Sequence, residues 1–321
     1  MKNTIKHLIA ALAVCVAGTA LGQESYPNRA VTMVVAWPAG GAIDIAARIV
    51  ANELGKTLNQ PVVVMNRAGA SGNIGAAAVA KADPNGYTLL VTSAAIAVSA
   101  AMNSTPGYDL FKDLKPVTII GEIPFVVVAG PSMQTTSLEG LVSYAKKNPG
   151  KLNFASSASG TVLHLIGELF RQEAAINIVD VPFVAGVQGV QELLAGRLDL
   201  MIEVVTNVRP FLQPDKIKLL AVAAPARLPA YPTVPTMAEL GLPKVEASTW
   251  PAIFAPAGTP NEIVQMLGDR MSKILRSGET RAKLAQIDIV VNANTPEEAD
   301  KYVRAEVKKW NTVAKAAGLT K

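Results

Sequence analysis

The chain has 321 residues, half of them hydrophobic and only 17% charged, against about 25% charged in an average soluble domain. A chain this apolar is not intrinsically disordered, and its length suits one large domain or two ordinary ones, each with its own core. The 30 basic residues outnumber the 25 acidic ones, for a formal charge of +5, but they are spread thinly along the chain. No basic stripe of the kind that grips nucleic acid is present, so that class is excluded.

The N-terminus carries a targeting pattern. Lys2 and Lys6 make a positively charged start, and residues 8–16 form an apolar stretch too short to span a bilayer. Small residues follow, with Ala20-Leu21-Gly22 offering a cleavage site before Gln23, so residues 1–22 are expected to be a signal peptide. An uncleaved anchor and lipidation at Cys15 are the alternatives; Val14 is a poor neighbour for a lipidated Cys. Processing would leave a balance of +3, 28 bases against 25 acids, no Cys, and His164 as the single imidazole. Disulfides, thiol nucleophiles and Cys-ligated metals are then excluded. No His/Asp/Glu cluster stands at metal-ligand spacing and no cofactor is expected.

Along the mature chain, strands and helices alternate. Residues 31–36 read as a strand, and residues 43–59 as a helix with Val50, Leu54 and Leu58 spaced by four. Residues 61–65 are the next strand, 71–82 an Ala-rich helix, 83–86 a turn and 87–91 a third strand. This alternation predicts a parallel sheet covered on both faces. Residues 117–120 and 125–128 are strand runs, and the break at residues 121–124 is a candidate crossing between domains. A second round follows: strand 152–156, a helix from Thr161 with Leu163, Ile166 and Phe170 on one face, strand 179–183, helix 187–195, and strands 198–202 and 217–222. Pro225, Pro229, Pro232, Pro235 and Pro243 mark an ordered surface connection. Thr259 to Glu262 and Thr295 to Glu298 both read as capping boxes with Pro at the first helical position. The last helix aligns Ala299, Tyr302, Val303, Val307 and Trp310 in one stripe suited to docking, with Lys308 and Lys309 outside it.

Two glycine-rich turns carry the functional signal. Residues 37–44 join the first strand to the first helix and include Trp37, Ala39, Gly40, Gly41 and Asp44. Residues 156–164 join a strand to a helix in the second half and include Ser156, Ser157, Ser159, Gly160, Thr161 and His164. Helix N-termini present unpaired N–H groups and a favourable dipole to an anion. Ordinary capping would explain either turn alone. One turn in each half allows a carboxylate to be pinched between neutral donors. Residues 69–75 have a glycine spacing reminiscent of a phosphate loop, but as G-x-x-G-x-x-G it fits a tight connection and not a dinucleotide fingerprint. His164 beside serines raises a hydrolase using Ser157 or Ser159, although no G-x-S-x-G elbow occurs. Glu203, after the 198–202 strand, is either a solvated carboxylate or a group that orients a ligand amine or bound water.

Residues 37–48, 66–75, 83–90, 156–170, 192–199, 254–260 and the Trp310 helix together resemble the Bug family. These are the extracytoplasmic solute receptors of tripartite tricarboxylate transporters. The resemblance implies an α/β, two-lobed periplasmic-binding-protein fold of the type II, Venus-flytrap kind. It implies lobe 1 from residues 23–122 plus 248–321, lobe 2 from residues 123–247, and a cleft that closes on a carboxylate. By the same resemblance Ala39, Gly40, Gly41 and Asp44 hold the carboxylate from one lobe, and Ser156, Ser157, Gly160, Thr161 and His164 from the other. Ser93 and Ala94 line the mouth, and Trp37 and Glu203 face the far end of the ligand. Phe183-Val184-Ala185 stands where relatives carry Tyr-Lys-Gly, Glu203 where Asp is usual, and Trp37 where Phe or Tyr-like residues are frequent. These departures bear on ligand identity. The expected product is a periplasmic monomer that binds and does not catalyse. It would hand its ligand to membrane transporter subunits, or report it to a sensor kinase.

Overall fold

The structure is a computed structural model and describes residues 26–102, 106–157, 160–183, 186–213 and 216–320. The proposed signal peptide, Val184, Ala185 and Ser159 therefore lie outside the described residues.

The first layer is built as the apolar pattern requires. Strand β1 (Val31–Val35) leads into helix α1 (Ala42–Leu58), whose Ala46, Ala47, Val50, Leu54 and Leu58 are buried along one stripe. Then come β2 (Val62–Asn66), α2 (Asn73–Ala80), β3 (Thr88–Thr92), α3 (Ala95–Ala101), the short α4 (Leu110–Asp113) and β4 (Leu114–Ile119). The 71–82 segment is shorter as a helix than its Ala content predicts: a 3-10 turn at Ala70–Gly72 precedes α2, with Ser71 in a left-handed conformation.

The chain crosses to a second sheet through β5 (Gly121–Ala129). Residues 121–124 are strand, not the expected break, and only Ile120 interrupts the run. The reason is pairing on both sides: Ser248 and Thr249 of β10 (Ser248–Thr249) flank Pro124 and Ile123, and Val290 and Val291 of β12 (Val290–Val291) flank Glu122 and Gly121. Between them run α5 (Leu138–Lys147), β6 (Asn153–Ser157), α6 (Val162–Ala174), β7 (Val179–Phe183), α7 (Gly186–Leu194), β8 (Leu200–Val204), α8 (Val205–Val208) and β9 (Lys218–Val222). The return uses β11 (Ala252–Pro256), α9 (Asn261–Arg276), α10 (Gly278–Ala285) and α11 (Pro296–Ala316).

The first sheet has the order β2-β1-β3-β11-β4. Its β1, β2 and β3 are mutually parallel, but β11 runs antiparallel to β3 and β4. In the second sheet β6 is parallel to β7 and β8, while β5 is antiparallel to β8 and β9. Both sheets are thus mixed and not purely parallel. The crossing strands impose this, because a chain that leaves one layer and later re-enters it from the other must run against its neighbours.

The return path is anchored in the core. Trp250 and Trp310 are fully buried, and both indole N–H groups donate to Glu306 Oε2, at 3.3 and 3.0 Å. The Thr295 capping box forms, with Glu298 N–H donating to Thr295 Oγ1 and Thr295 N–H to the Glu298 carboxylate. The Thr259 box does not: Pro260 is the N-cap of α9 and offers no side-chain bond. Thr259 instead turns back, its N–H donating to the Pro256 carbonyl at 3.0 Å, and its hydroxyl is buried without a partner among the described residues.

Candidate functional site

Parallel strands place their C-terminal ends at one edge of a sheet, and the connections into the following helices collect there. At the edge of the first sheet this gathers the 37–41 turn after β1 and Ser93-Ala94 after β3. At the edge of the second it gathers the turn after β6 and the junction of β8 with α8.

The first turn is exposed at Ala39, Gly40 and Gly41 and rigid beneath. Gly40 has φ +84°, where a side chain is disfavoured, and its N–H donates to Asp44 Oδ2 at 2.9 Å. Gly41 is the N-cap of α1 and supplies no side-chain cap. Asp44 is 2% exposed, and its carboxylate also accepts from Arg48 Nε at 2.9 Å, Arg48 Nη2 at 3.0 Å and Asn66 Nδ2 at 2.8 Å. Burial pushes this carboxyl up, but the bonds from Arg48, Gly40 and Asn66 outweigh that and hold it at about 2. Asn66 also donates to the Trp37 carbonyl at 3.0 Å, so one amide ties both ends of the turn to β2. Trp37 itself is half-buried, and its indole N–H has no partner among the described residues. Ser93 and Ala94 are buried; the Ser93 hydroxyl accepts from the Ala95 N–H at 3.3 Å, and Ala94 is the N-cap of α3.

The second turn is closed on itself. Ser157 and Thr161 share a hydroxyl–hydroxyl hydrogen bond, and Thr161 caps α6 by accepting from the His164 N–H at 3.3 Å. Ser156 donates to the Ser157 carbonyl at 3.3 Å. The Gly160 N–H donates to His164 Nδ1 at 3.3 Å, which fixes Nδ1 as an acceptor. The serine hydroxyls described here point to Thr161 and to backbone, and His164 Nδ1 is held by backbone, so neither Ser156 nor Ser157 is paired with the imidazole as a nucleophile would be. The two halves come close at this point: a Cβ added on Gly160 would lie 3.2 Å from Met102 Cε, just beyond α3.

Glu203 is the penultimate residue of β8, inside the strand and not after it, and is 2% exposed and so not a solvated carboxylate. Its Oε1 accepts from the Val204 N–H at 2.8 Å and from Asn207 Nδ2 at 3.3 Å. Its Oε2 and the nearby Thr206 Oγ1 are buried without a partner among the described residues. Burial pushes this carboxyl up to about 7, against the smaller pull of the two hydrogen bonds. Sequence reasoning missed Asn66, Asn207, Thr206 and Met102. Only the strand-end position of Asn66, beside Val35 in the β1–β2 register, offered a signal. Among the described residues no group of three or more His, Asp or Glu side chains could hold a metal. No helix there is long and apolar enough to cross a membrane.

Two mixed sheets bridged by crossing strands, with glycine turns at the strand ends, define a two-lobed periplasmic binding protein. A solved structure described as a periplasmic transporter aligns over 92% of this chain and 99% of its own, with TM-score 0.79 and 32% identity. BugD, a periplasmic binding protein, aligns over 92% and 99% with TM-score 0.77 and 31% identity. An R. palustris protein solved with adipate aligns over 91% and 98%, with TM-score 0.80 and 35% identity. MatC from Rhodopseudomonas palustris, solved with bound malate, aligns over 90% and 99% with TM-score 0.75 and 32% identity. Among sequences, Protein BugT of Bordetella pertussis is 36% identical over 299 residues, 92% of this chain and 91% of that one. Residues 46–319 match the Tripartite tricarboxylate transporter family receptor. The chain belongs to that family of solute-binding receptors.

Proposed function

We propose that the protein is a periplasmic receptor that captures a small carboxylate between its two lobes and delivers it to membrane transporter subunits. The observation that carries this reading is the placement of one glycine-rich turn at the C-terminal strand edge of each sheet, each opening a helix. Lobe 1 takes residues 23–122 and 248–321 and lobe 2 residues 123–247, and the signal peptide is cleaved near Gly22. The narrow gap between Gly160 and Met102, too small for an added Cβ to fit without crowding, supports closure along this line.

In this reading the amides of Ala39 and Gly41 approach the ligand, Gly40 forms the bend between them with its own N–H held by Asp44, and Asp44 acts as the brace that shapes the turn. Its charge is matched by Arg48, so the turn presents neutral donors and a helix dipole to the anion. Ser156, Ser157, Gly160, Thr161 and His164 close from the other lobe, Ser93 and Ala94 line the mouth, and Trp37 and Glu203 face the distal end. Solved relatives with adipate and with malate support a carboxylate as the ligand class. Nothing in the mechanism requires bond-making: the ligand stabilises the closed form through contacts that the open form lacks.

A panel of mono-, di- and tricarboxylates and amino acids, read by thermal shift and calorimetry with mass spectrometry of the recovered ligand, tests the proposal. At about 100 times its Kd a true ligand adds about 2.7 kcal/mol of stability and is recovered unchanged. Absence of any response across the panel contradicts the reading, and chemical conversion of the ligand would favour an enzyme instead.

A further inference from the structure

A carboxyl group buried without a cation is a poor anion and tends to keep its proton, which it can then offer as a hydrogen-bond donor. Glu203 fits that description in its geometry. Oε1 is already saturated by two N–H donors, the Val204 amide and Asn207 Nδ2, as a carbonyl oxygen would be. Oε2 has no partner among the described residues and is the oxygen left to carry a proton. The group lies toward the sheet edge that bears the second glycine turn: β8 pairs in parallel with β6, Phe154 with Leu200 and Ala155 with Met201, so Glu203 and Ser157 each lie two residues past the last pair, toward the same edge. We propose that Glu203 meets the ligand as a carboxylic acid, donating from Oε2 to an acceptor oxygen at the ligand's far end, so that the receptor selects a second carboxylate there and takes up a proton on loading.

The inference rests on the carboxylate-receptor reading and assigns the group that reads the distal end. The surroundings favour the acid form. The elements packed against β8 are β5, β6, α6, α7 and α8. Their titratable groups are Glu122, His164, Glu168, Arg171, Glu173 and Glu192. Glu122 accepts from Ser248 and Asn292, while Glu168 pairs with Arg171, Glu173 with Lys244, Glu192 with Arg197, and His164 accepts from Gly160. None of these groups pairs with Glu203, so no described cation holds it ionised. Burial has already moved its titration to about 7 before a ligand arrives. A ligand carboxylate at Oε2 raises it further, while an ammonium there would lower it. The two ligand classes therefore move protons in opposite directions.

The test is calorimetry of the purified protein and of Glu203→Gln with unbranched dicarboxylates of graded length, the matching monocarboxylates and the matching ω-amino acids. Each titration is run at pH 6, 7 and 8 in two buffers of different ionisation enthalpy. The expected result is dicarboxylate binding with uptake of about half a proton at pH 7 and affinity about tenfold weaker at pH 8 than at pH 6. Glu203→Gln keeps an N–H donor in place of the acid O–H. It retains dicarboxylate binding with little pH dependence and no uptake, which separates Glu203 from His164 and from the ligand. Proton release with preferred ω-amino acids overturns the proposal in favour of an ionised Glu203, as does equal binding of monocarboxylates or loss of dicarboxylate binding in a folded Glu203→Gln. Those outcomes leave the receptor reading standing. Failure of every carboxylate to bind overturns both.

Discussion

Removing the Asp44 carboxylate should loosen the first glycine turn without unfolding the lobe that carries it. In Asp44→Ala the Gly40 N–H and Asn66 Nδ2 lose acceptors at 2.9 and 2.8 Å. Arg48 loses a two-point partner but is itself half exposed, so its share is small. Charge-assisted bonds contribute about 1.5–3 kcal/mol each when shielded, and water reaches part of this turn, so about 2–3 kcal/mol in total is expected. That corresponds to a fall of roughly 5 °C in Tm for a chain of this size. The carboxyl is held at about 2 against an ordinary 3.8. A depressed carboxylate contributes stability that is present above its unfolded value and lost as pH falls through the folded one. The gap between wild type and Asp44→Ala should therefore be full above pH 4 and close between pH 4 and 2. Denaturant unfolding at graded pH measures it, and calorimetry with a bound carboxylate should show weaker binding in the same variant. A variant as stable as wild type at pH 7 that also binds the ligand undiminished would refute the bracing role.

Three other perturbations separate the parts of the account. Glu203 has its titration raised from 4.5 to about 7 by burial, so its contribution to stability is fully present below 4.5 and lost as pH rises through 7. Glu203→Gln should then match wild type near pH 4 and exceed it by roughly 3 kcal/mol at pH 8; equal curves at both pH values would contradict this. Gly160→Val places a branched side chain where φ is +78° and Met102 Cε is 3.2 Å from the new Cβ. It should lower ligand affinity at least tenfold, with a stability cost of about 1–2 kcal/mol; unchanged affinity would remove Gly160 from the closing surface. Trp310→Ala should cost about 3–5 kcal/mol by opening a cavity and removing one of the two indole donors to Glu306, while leaving the affinity of the surviving folded protein near wild type.

The sequence reports local order well and long-range order poorly. Val50, Leu54 and Leu58 announce α1, and Val179–Phe183 is a strand in both readings. Positions 121–124 look like a break because Gly121 and Pro124 are poor strand formers, yet pairing with β10 and β12 from distant parts of the chain overrides that preference. The two-residue β10 is too short to show a period, so the antiparallel return through β11 is invisible until the crossing is seen. Thr259 carries the same local pattern as Thr295, and the difference lies in a turn to Pro256, with its hydroxyl buried. The two glycine turns are legible because glycine and hydroxyl residues at helix starts have a local cause. The roles of Asp44 and Glu203 are not, since they depend on Asn66 in a neighbouring strand and on how completely the end of β8 is covered.

The most direct test of the central claim compares carboxylate binding by wild type and Gly41→Val. Gly41 has an extended backbone with φ −79°, and a Cβ there would meet only the Pro38 carbonyl oxygen, at 3.8 Å. The substitution therefore leaves the fold intact while setting a branched side chain beside the amides that are to hold the anion. Calorimetry should show a carboxylate bound by wild type and at least a hundredfold loss in Gly41→Val at unchanged melting temperature. Equal affinity in the two proteins would contradict the account.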